Sequence, residues 1–413
     1  MPARVLPMAK APASVTIVGR ALHDPWNEGT RVIGRNLALA AREGGHDVRL
    51  VSLTEHGYGE GPDSSGLPTY HVRTRATSPL QADYGHLRAL AGAVRHAAGR
   101  RRSHLHFVGA PLALAPLVRG VAETTVAHVV LNARDTNLGP VDRVRAALGF
   151  RLFDRWVDSY AATSDAVLAA LQRDGWNASK LRTLPPPIDT ARFRRADPRP
   201  TSSEGRLRVQ YVGNIAGERF PAAIVIDALR ALARETGLRV ALSVHAPVAF
   251  RPDNAEWASS LPDAEELEID VNLEDLTEAR KAEVYSSADV MLYPYLRPVA
   301  VEPPLTLLEA MACEAVPVGT ASANRSGVIV DGENGFIYGG TEQLTAQLAR
   351  FAALGPKERA SLGEAARRSI VQRFGRAATA TQLERLWGEL AERRRRPSAG
   401  AHRQTSQRGS ATS

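Results

Sequence analysis

Length, composition and charge exclude several classes of protein. The chain has 413 residues, which predicts two or more domains, and its 44% hydrophobic and 23% charged residues are typical of a folded globular protein. No apolar run reaches the roughly 20 residues that span a bilayer, and a single cysteine, Cys313, excludes an internal disulfide, so we expect a soluble, cytoplasmic protein.

The net charge of +8 is concentrated at the C-terminus. Residues 391–413 contain six arginines and one glutamate and so carry +5, which leaves +3 for the other 390 residues. These 390 residues are only mildly basic, so their charge does not indicate nucleic acid as a partner. The tail at 395–413, rich in arginine and serine, is predicted to be disordered, and a weak peripheral contact with anionic lipid at the inner face of a membrane stays open.

Strands alternate with helices over the first part of the chain. Apolar runs typical of strands and patterns typical of helices occupy, in turn, 15–18, 31–43, 48–53, 85–99, 104–108, 111–120, 125–131, 142–155 and 157–163. This alternation predicts a parallel, doubly wound sheet, and we assign 1–190 to a first, acceptor-binding Rossmann-like domain. The basic, aromatic segment 143–156 fits core packing, with a membrane-surface helix as the alternative.

A segment rich in proline, aspartate and arginine interrupts the pattern at 183–205, and we interpret 191–205 as a linker. Alternation then restarts with strands at 206–213, 238–244, 265–269, 289–293 and 315–318 and helices at 221–235, 274–286, 304–313, 341–353 and 356–373. We assign 206–375 to a second Rossmann-like domain, and the helix at 376–394 is expected to pack back toward the first. The predicted fold is α/β, with two domains facing each other across a cleft and ligands at the carboxyl ends of the strands.

The stretch EPPLTLLEAMAC at 302–313 carries the densest chemical signal. A helix that starts at Pro304 leaves the N–H groups of Leu305 and Thr306 unpaired at the positive end of its dipole, which suits a diphosphate. Glu309 lies about 7.5 Å further along the helix, within reach of a ribose. The alternative interpretation is an amphipathic helix with an ordinary surface glutamate.

This stretch resembles the nucleotide-sugar site of glycosyltransferase family 4. The resemblance rests on LLEAMACEAVPV followed by GVIVDGENGF, and it extends over most of the chain through DSYAATSD, SKLRTLPPPIDTARF, YVGNIAGERF and YSSADVMLYP. It implies the GT-B fold and a retaining transfer of a sugar from a nucleotide diphosphate-sugar to a small-molecule, glycan or lipid-linked acceptor. No cofactor and no metal are expected, because the acids of 263–275 alternate with apolar residues as on a solvated rim.

The resemblance also implies roles for individual residues. Glu309 corresponds to the glutamate that holds the ribose, and Arg219 and Glu302 are the implied catalytic residues. The implied donor contacts are Gly213, Asn214, Arg219, Leu305, Thr306 and Glu309.

Two departures weaken this transfer. Family members usually carry two glutamates separated by seven residues. Counted back from Glu309, the first glutamate would fall on Val301, and the nearest acid, Glu302, leaves only six residues between. The family's basic pair is usually arginine and lysine, and Asn214 and Arg219 stand at those positions.

The loop at 19–36 follows the first strand and faces the predicted cleft. Trp26, Asn27 and Gly29 are predicted acceptor contacts, with a routine turn as the alternative. His106 and His128 lie in predicted strands and are interpreted as core histidines.

Two other functions remain: another GT-B enzyme, such as a nucleotide-sugar epimerase or a phosphorylase, or an inactive GT-B binding scaffold. The sugar, base, acceptor and oligomeric state are not indicated.

Overall fold

The computed structural model describes residues 11–23, 26, 28–54, 59–73, 84–130, 151–196, 205–215, 217–247, 253–259, 261, 266–298 and 301–395. These residues form two α/β units, each built on its own sheet. The predicted α/β class with two Rossmann-like sheets is confirmed.

The first unit contains eight strands in one sheet. They are β1 (Ser14–Arg20), β2 (Asp47–Thr54), β3 (Gly59–Pro62), β4 (Pro68–Arg73), β5 (Ser103–Val108), β6 (Ala122–Val129), β7 (Ser159–Ala162) and β8 (Leu181–Thr183). Their order is β3-β4-β2-β1-β5-β6-β7-β8, and all neighbours are parallel except the edge pair β3 and β4. Helices cover the central strands, so β1 is buried from Ser14 to Gly19.

Helices connect these strands in the manner of a doubly wound sheet. They are α1 (Gly29–Glu43), α2 (Tyr84–Ala98), α3 (Ala115–Val118) and α4 (Asp165–Arg173). The Glu28 carboxylate caps α1 by accepting from the N–H groups of Thr30 (3.0 Å) and Arg31 (3.1 Å).

The second unit contains six parallel strands. They are β9 (Arg206–Val212), β10 (Arg239–His245), β11 (Leu267–Asn272), β12 (Val290–Tyr293), β13 (Val316–Thr320) and β14 (Phe336–Tyr338), in the order β11-β10-β9-β12-β13-β14. The helices are α5 (Ala222–Thr236), α6 (Asp253–Ser259), α7 (Glu278–Ser287), α8 (Leu305–Ala312), α9 (Thr341–Ala353), α10 (Pro356–Phe374) and α11 (Arg376–Arg395). Within the described ranges, no helix combines the length and apolar character needed to cross a membrane.

Every strand predicted from the sequence is present, whereas several short elements were not predicted. These are β3, β4, β8, β14, α4 and α6. The helix predicted at 111–120 is broken into a short α3 flanked by 3-10 turns, since Pro111, Pro116 and Gly120 interrupt it. Most of the helix predicted at 142–155 and almost all of the predicted tail lie outside the described residues.

The proline-rich segment between the sheets is irregular but packed. Ile188 and Phe193 are buried, and the Ile188 N–H donates to the Phe374 carbonyl at 2.7 Å. Ile188 also pairs with Gly375 in an isolated bridge. The two stretches of chain that pass between the units therefore lie side by side.

Helix α11 returns to the first unit, where it packs on α1. Its Trp387 donates an indole hydrogen bond of 2.8 Å to Nε2 of His106, whose Nδ1 lies 2.7 Å from His128 Nε2. Burial lowers the pKa of both histidines, that of His128 to about 3, so both rings are neutral at pH 7. The two histidines are therefore satisfied inside the core, as the sequence pattern predicted.

The first prediction concerns this anchor of the C-terminal helix. Trp387→Phe leaves the buried His106 acceptor without its donor, and we expect a loss of about 1–3 kcal/mol in the free energy of unfolding. Urea unfolding at pH 7, followed by circular dichroism, measures it. Trp257→Phe is the control, because the Trp257 ring is 39% exposed. Equal losses in the two variants would show that the indole hydrogen bond contributes nothing.

Candidate functional site

The start of α8 lies at the carboxyl edge of the second sheet, after β12. Pro304 is the N-cap residue, and no side chain caps the helix. The Leu307 and Leu308 N–H groups reach the Pro304 carbonyl, but those of Leu305 and Thr306 have no acceptor within the described chain. These two N–H groups and the helix dipole form a site of positive potential, and binding of a diphosphate there stays a prediction.

The glycine loop after β9 is held rigidly on the same edge. Gly213 has φ +154°, a conformation that favours glycine, and its N–H donates to the His245 carbonyl at 3.0 Å. The Tyr211 hydroxyl donates to the Asn214 carbonyl at 2.6 Å, and Asn254 accepts from the Ile215 N–H at 3.1 Å. The backbone of the predicted donor loop is therefore fixed before any ligand arrives.

Arg219 is the uncompensated cation of this loop. It ends a 3-10 turn, Gly217–Arg219, and its partly exposed guanidinium has neither an ion pair nor a hydrogen bond within the described chain. Its neighbour Glu218 is neutralised instead by Arg297, at 2.7 Å. The charge of Arg219 is thus left for an anion from solution.

Tyr295 was not predicted from the sequence, yet it lies between the two halves of this edge. Burial raises its pKa to about 12, while the positive charge of Arg219 acts in the opposite direction. The phenol therefore keeps its proton at neutral pH. A sequence signal existed, because Tyr295 follows β12 by two residues at the carboxyl end of the strand.

Glu302 is buried rather than displayed on the cleft surface. Its side-chain Oε1 accepts from the Ser326 N–H (2.9 Å) and hydroxyl (2.6 Å), and its carbonyl accepts from the Thr163 hydroxyl of the first unit at 2.6 Å. Glu302 therefore joins three segments: the loop before α8, the loop after β13 and the end of β7. Val301, at the position of the family's first glutamate, offers no polar group.

Glu309 lies on α8 where the sequence predicted it but is 3% exposed. Tyr285 donates to its Oε2 at 3.1 Å. Burial raises the pKa of this carboxyl, against the opposing effects of Lys281, the Tyr285 hydrogen bond and Arg35. Arg35 belongs to the first unit, so the charge of that unit acts on this carboxylate of the second unit.

The predicted acceptor loop meets the predicted donor helix. A Cβ added at Gly29 would lie 3.5 Å from Val301 Cγ2 and 3.6 Å from Leu305 Cδ1, so the starts of α1 and α8 face each other. Trp26 is 5% exposed, and its indole donates to Ser64 at 3.2 Å, which leaves little of its ring for an acceptor. Asn27 lies outside the described residues.

An ion pair closes the two units against each other beside Glu309. The buried Arg35 guanidinium binds both carboxylate oxygens of Glu278, one at 2.9 Å, and Arg192 contacts the same carboxylate. The Arg35 guanidinium also lies over the Trp26 ring, 4.9 Å from its centroid. These contacts, with Gly29 against Leu305, define a seam between the units.

The described residues contain no group of three or more histidine, cysteine, aspartate or glutamate side chains arranged to hold a metal ion. Part of the acidic stretch 263–275 is described, and it forms β11 and the approach to α7.

Comparison with known proteins supports the fold. Residues 225–369 match the protein-family model described as glycosyl transferases group 1. That range contains α8 and Glu309, but it begins after the first unit and after Arg219. No curated protein matches the chain in sequence.

Solved structures extend the likeness to nearly the whole chain. A glycosyltransferase from Rickettsia africae has a TM-score of 0.67 at 12% identity, covering 92% of this chain and 99% of that one. Sucrose-phosphate synthase from Thermosynechococcus elongatus has a TM-score of 0.66 at 16% identity, covering 92% and 100%. Anabaena HepE, in complex with UDP and glucose, has a TM-score of 0.65 at 13% identity, covering 91% and 100%. The fold of this chain is therefore GT-B, with C-terminal helices.

The second prediction tests the environment of Glu309. Its pKa is raised above 4.5, so the ionised carboxylate is less favourable in the folded chain than in the unfolded chain. As the pH rises from 4 to 7, the wild type should lose stability relative to Glu309→Gln, which stays neutral. Thermal unfolding at both pH values measures this, with the exposed Glu333→Gln as control. A wild type that gains stability relative to the variant between pH 4 and pH 7 would show that ionisation of Glu309 stabilises the fold.

Proposed function

We propose that the protein is a retaining glycosyltransferase of family 4 that transfers a sugar from a nucleotide diphosphate-sugar to an acceptor hydroxyl. One observation carries the proposal: the uncapped start of α8 and the uncompensated Arg219 lie on the same edge of the second sheet, opposite the first Rossmann-like sheet. The group 1 match over 225–369 supports it, since that range includes α8.

The chemistry follows from where charge develops. As the bond between the sugar C1 and the diphosphate breaks, negative charge builds on the phosphate oxygens. The N–H groups of Leu305 and Thr306 and the guanidinium of Arg219 supply positive potential there without reorganisation. Arg219 offers two parallel donors to one phosphate, which offsets the neutral Asn214 at the other basic position.

Glu309 is proposed to hold the ribose once the seam opens. Its carboxylate is desolvated when the site is empty, and two ribose hydroxyls would donate to it. Because opening breaks the Arg35 and Glu278 contact, we expect donor binding to be coupled to movement of the two units.

Glu302 is proposed to act beside the sugar. Since its carboxylate binds Ser326, we propose that it orients the loop after β13 toward the sugar hydroxyls and contacts them directly only if Ser326 is released. Retention and independence from metals are parts of the proposal that rest on the family resemblance.

An inactive nucleotide-binding scaffold is the second candidate. The burial of Glu302 and the neutral Asn214 favour it, because both weaken the machinery for transfer while leaving the diphosphate site intact. Slow hydrolysis of nucleotide sugars in the absence of an acceptor distinguishes the two, since only a transferase cleaves the donor.

The third prediction concerns nucleotide affinity. A thermal-shift screen over UDP, GDP, ADP and TDP should find one that raises the unfolding temperature. Glu309→Gln should weaken that nucleotide by about 1–3 kcal/mol, because a charged hydrogen bond to the ribose is lost. Calorimetric titration measures the change, with Glu333→Gln as control. Unchanged affinity would remove Glu309 from the site.

The fourth prediction concerns turnover. Arg219→Ala should lower kcat by roughly 10²–10³-fold with a smaller effect on KM, because the charge that Arg219 faces grows in the transition state. Arg219→Lys should recover part of this. Hydrolysis of the nucleotide sugar selected by the screen measures both, in the presence and absence of EDTA, which we expect to have no effect.

With an acceptor, an α-linked donor should give an α-glycoside, and a β product would contradict retention.

A further inference from the structure

The end of β7 places a hydroxyl of the first unit at the seam. Thr163 directly follows this strand and is 1% exposed. The next residue, Ser164, caps α4 by accepting from the Val167 N–H at 3.2 Å. Because a buried strand precedes Thr163 and a capped helix follows it, the position of its side chain is set by the first sheet.

The partner of this hydroxyl is the backbone of Glu302, two residues before the N-cap of α8. The Thr163 hydroxyl donates to the Glu302 carbonyl at 2.6 Å. Oε1 of the same glutamate accepts from the N–H (2.9 Å) and the hydroxyl (2.6 Å) of Ser326. Thr163, Glu302 and Ser326 therefore form a continuous chain of hydrogen bonds, which we call the relay, from the first sheet to the loop after β13.

The loop after β13 has a shape of its own. The Asn324 side chain closes it by accepting from the Ile329 N–H and donating to the Ile329 carbonyl, both at 2.8 Å. A further bond of 3.0 Å runs from the Gly327 N–H to the Asn324 carbonyl. These bonds do not involve Thr163 or Glu302, so the relay determines where this loop lies and not how it folds.

The diphosphate end of the candidate site is supported differently. The Pro304 carbonyl accepts from the Leu307 N–H at 3.1 Å and from the Leu308 N–H at 3.3 Å. The Tyr293 hydroxyl donates to the Thr306 carbonyl at 2.9 Å. All of these contacts lie within the second unit, whereas the relay connects the loop after β13 to the first unit.

Resting on the proposed function, in which Glu302 and the loop after β13 lie beside the sugar, we infer that Thr163 is a positioning residue for the sugar of the donor. Its hydroxyl fixes Glu302, and through Glu302 it fixes Ser326, relative to the first sheet, which is proposed to bind the acceptor. Thr163 does not contact the donor itself. The relay thereby aligns the sugar with the acceptor, while binding of the diphosphate does not depend on it.

This role predicts a defect of Thr163→Val that is confined to the sugar. Calorimetric titration measures the affinities for one nucleotide sugar and for its nucleoside diphosphate, chosen from UDP, GDP, ADP and TDP. The ratio of the two affinities isolates the sugar. We expect this ratio and kcat for donor hydrolysis each to fall about 3- to 10-fold, the effect of one lost hydrogen bond, with diphosphate affinity changed less than about 2-fold. Thr163→Ser keeps the hydroxyl and should recover both quantities.

The matched control is Thr124→Val, the same substitution near the amino end of β6 in the same sheet. Its hydroxyl is buried and lies 2.9 Å from His104 Nδ1. This variant should lose stability but keep the wild-type affinity ratio and kcat. A fall as large as that of Thr163→Val would overturn the inference. If Thr163→Val does not fold, Thr163→Ala, which removes the same hydroxyl, is titrated in its place.

A double-mutant cycle tests whether Thr163 acts through Glu302. Glu302→Ala keeps the carbonyl that Thr163 binds but removes the carboxylate that binds Ser326. In that background, Thr163→Val should change the affinity ratio less than about 2-fold. A further 3- to 10-fold fall there would overturn the inference.

Two results for the single variant would also overturn it: equal weakening of the nucleotide sugar and the diphosphate, or Thr163→Val equal to the wild type. The proposed function fails in a different way. A wild type that binds none of the four diphosphates and hydrolyses no nucleotide sugar would overturn the proposed function and this inference together, whereas a silent Thr163→Val in an active protein overturns the inference alone.

Discussion

The unpaired N–H groups at the start of α8 are the constraint on which the site depends. A buried or half-buried helix terminus without a cap is unfavourable unless something else satisfies it. Among the described residues the neighbouring groups do not: Pro304 has no polar side chain that could accept, and Arg219 adds a further donor to the same edge. The fold therefore keeps an excess of hydrogen-bond donors and positive charge, and an anion with several oxygens is the partner that satisfies them together.

The seam sets the conditions under which such an anion can bind. Contacts between Arg35 and Glu278, between Thr163 and Glu302 and between Gly29 and Leu305 hold the two sheet edges together while Glu309 is buried. Burial of the Glu309 carboxylate costs desolvation free energy, which hydrogen bonds from a ligand would offset. Binding sites often lower the stability of the empty protein in this way. The anchor at Trp387 keeps the C-terminal helix on the first unit, so movement at the seam need not detach it.

Sequence patterns predicted the architecture because strand and helix periodicity are local properties. The runs at 15–18 and 289–293 and the helix at 304–313 appear where expected, and Leu305, Gly213 and Arg219 lie on one sheet edge as predicted. Short edge strands such as β3 and β14 escaped prediction because three or four residues carry little periodic signal. The burial of Glu302 and Glu309 could not be predicted either, because it depends on Ser326, Thr163 and Arg35, which are remote in sequence.

The most direct test is a crystal structure of the protein with the nucleoside diphosphate that binds most tightly. We predict that the terminal phosphate lies within about 3 Å of the Leu305 and Thr306 nitrogens and of the Arg219 guanidinium, and that the ribose contacts Glu309. A diphosphate bound on the first sheet beside Gly29, with the start of α8 empty, would contradict it.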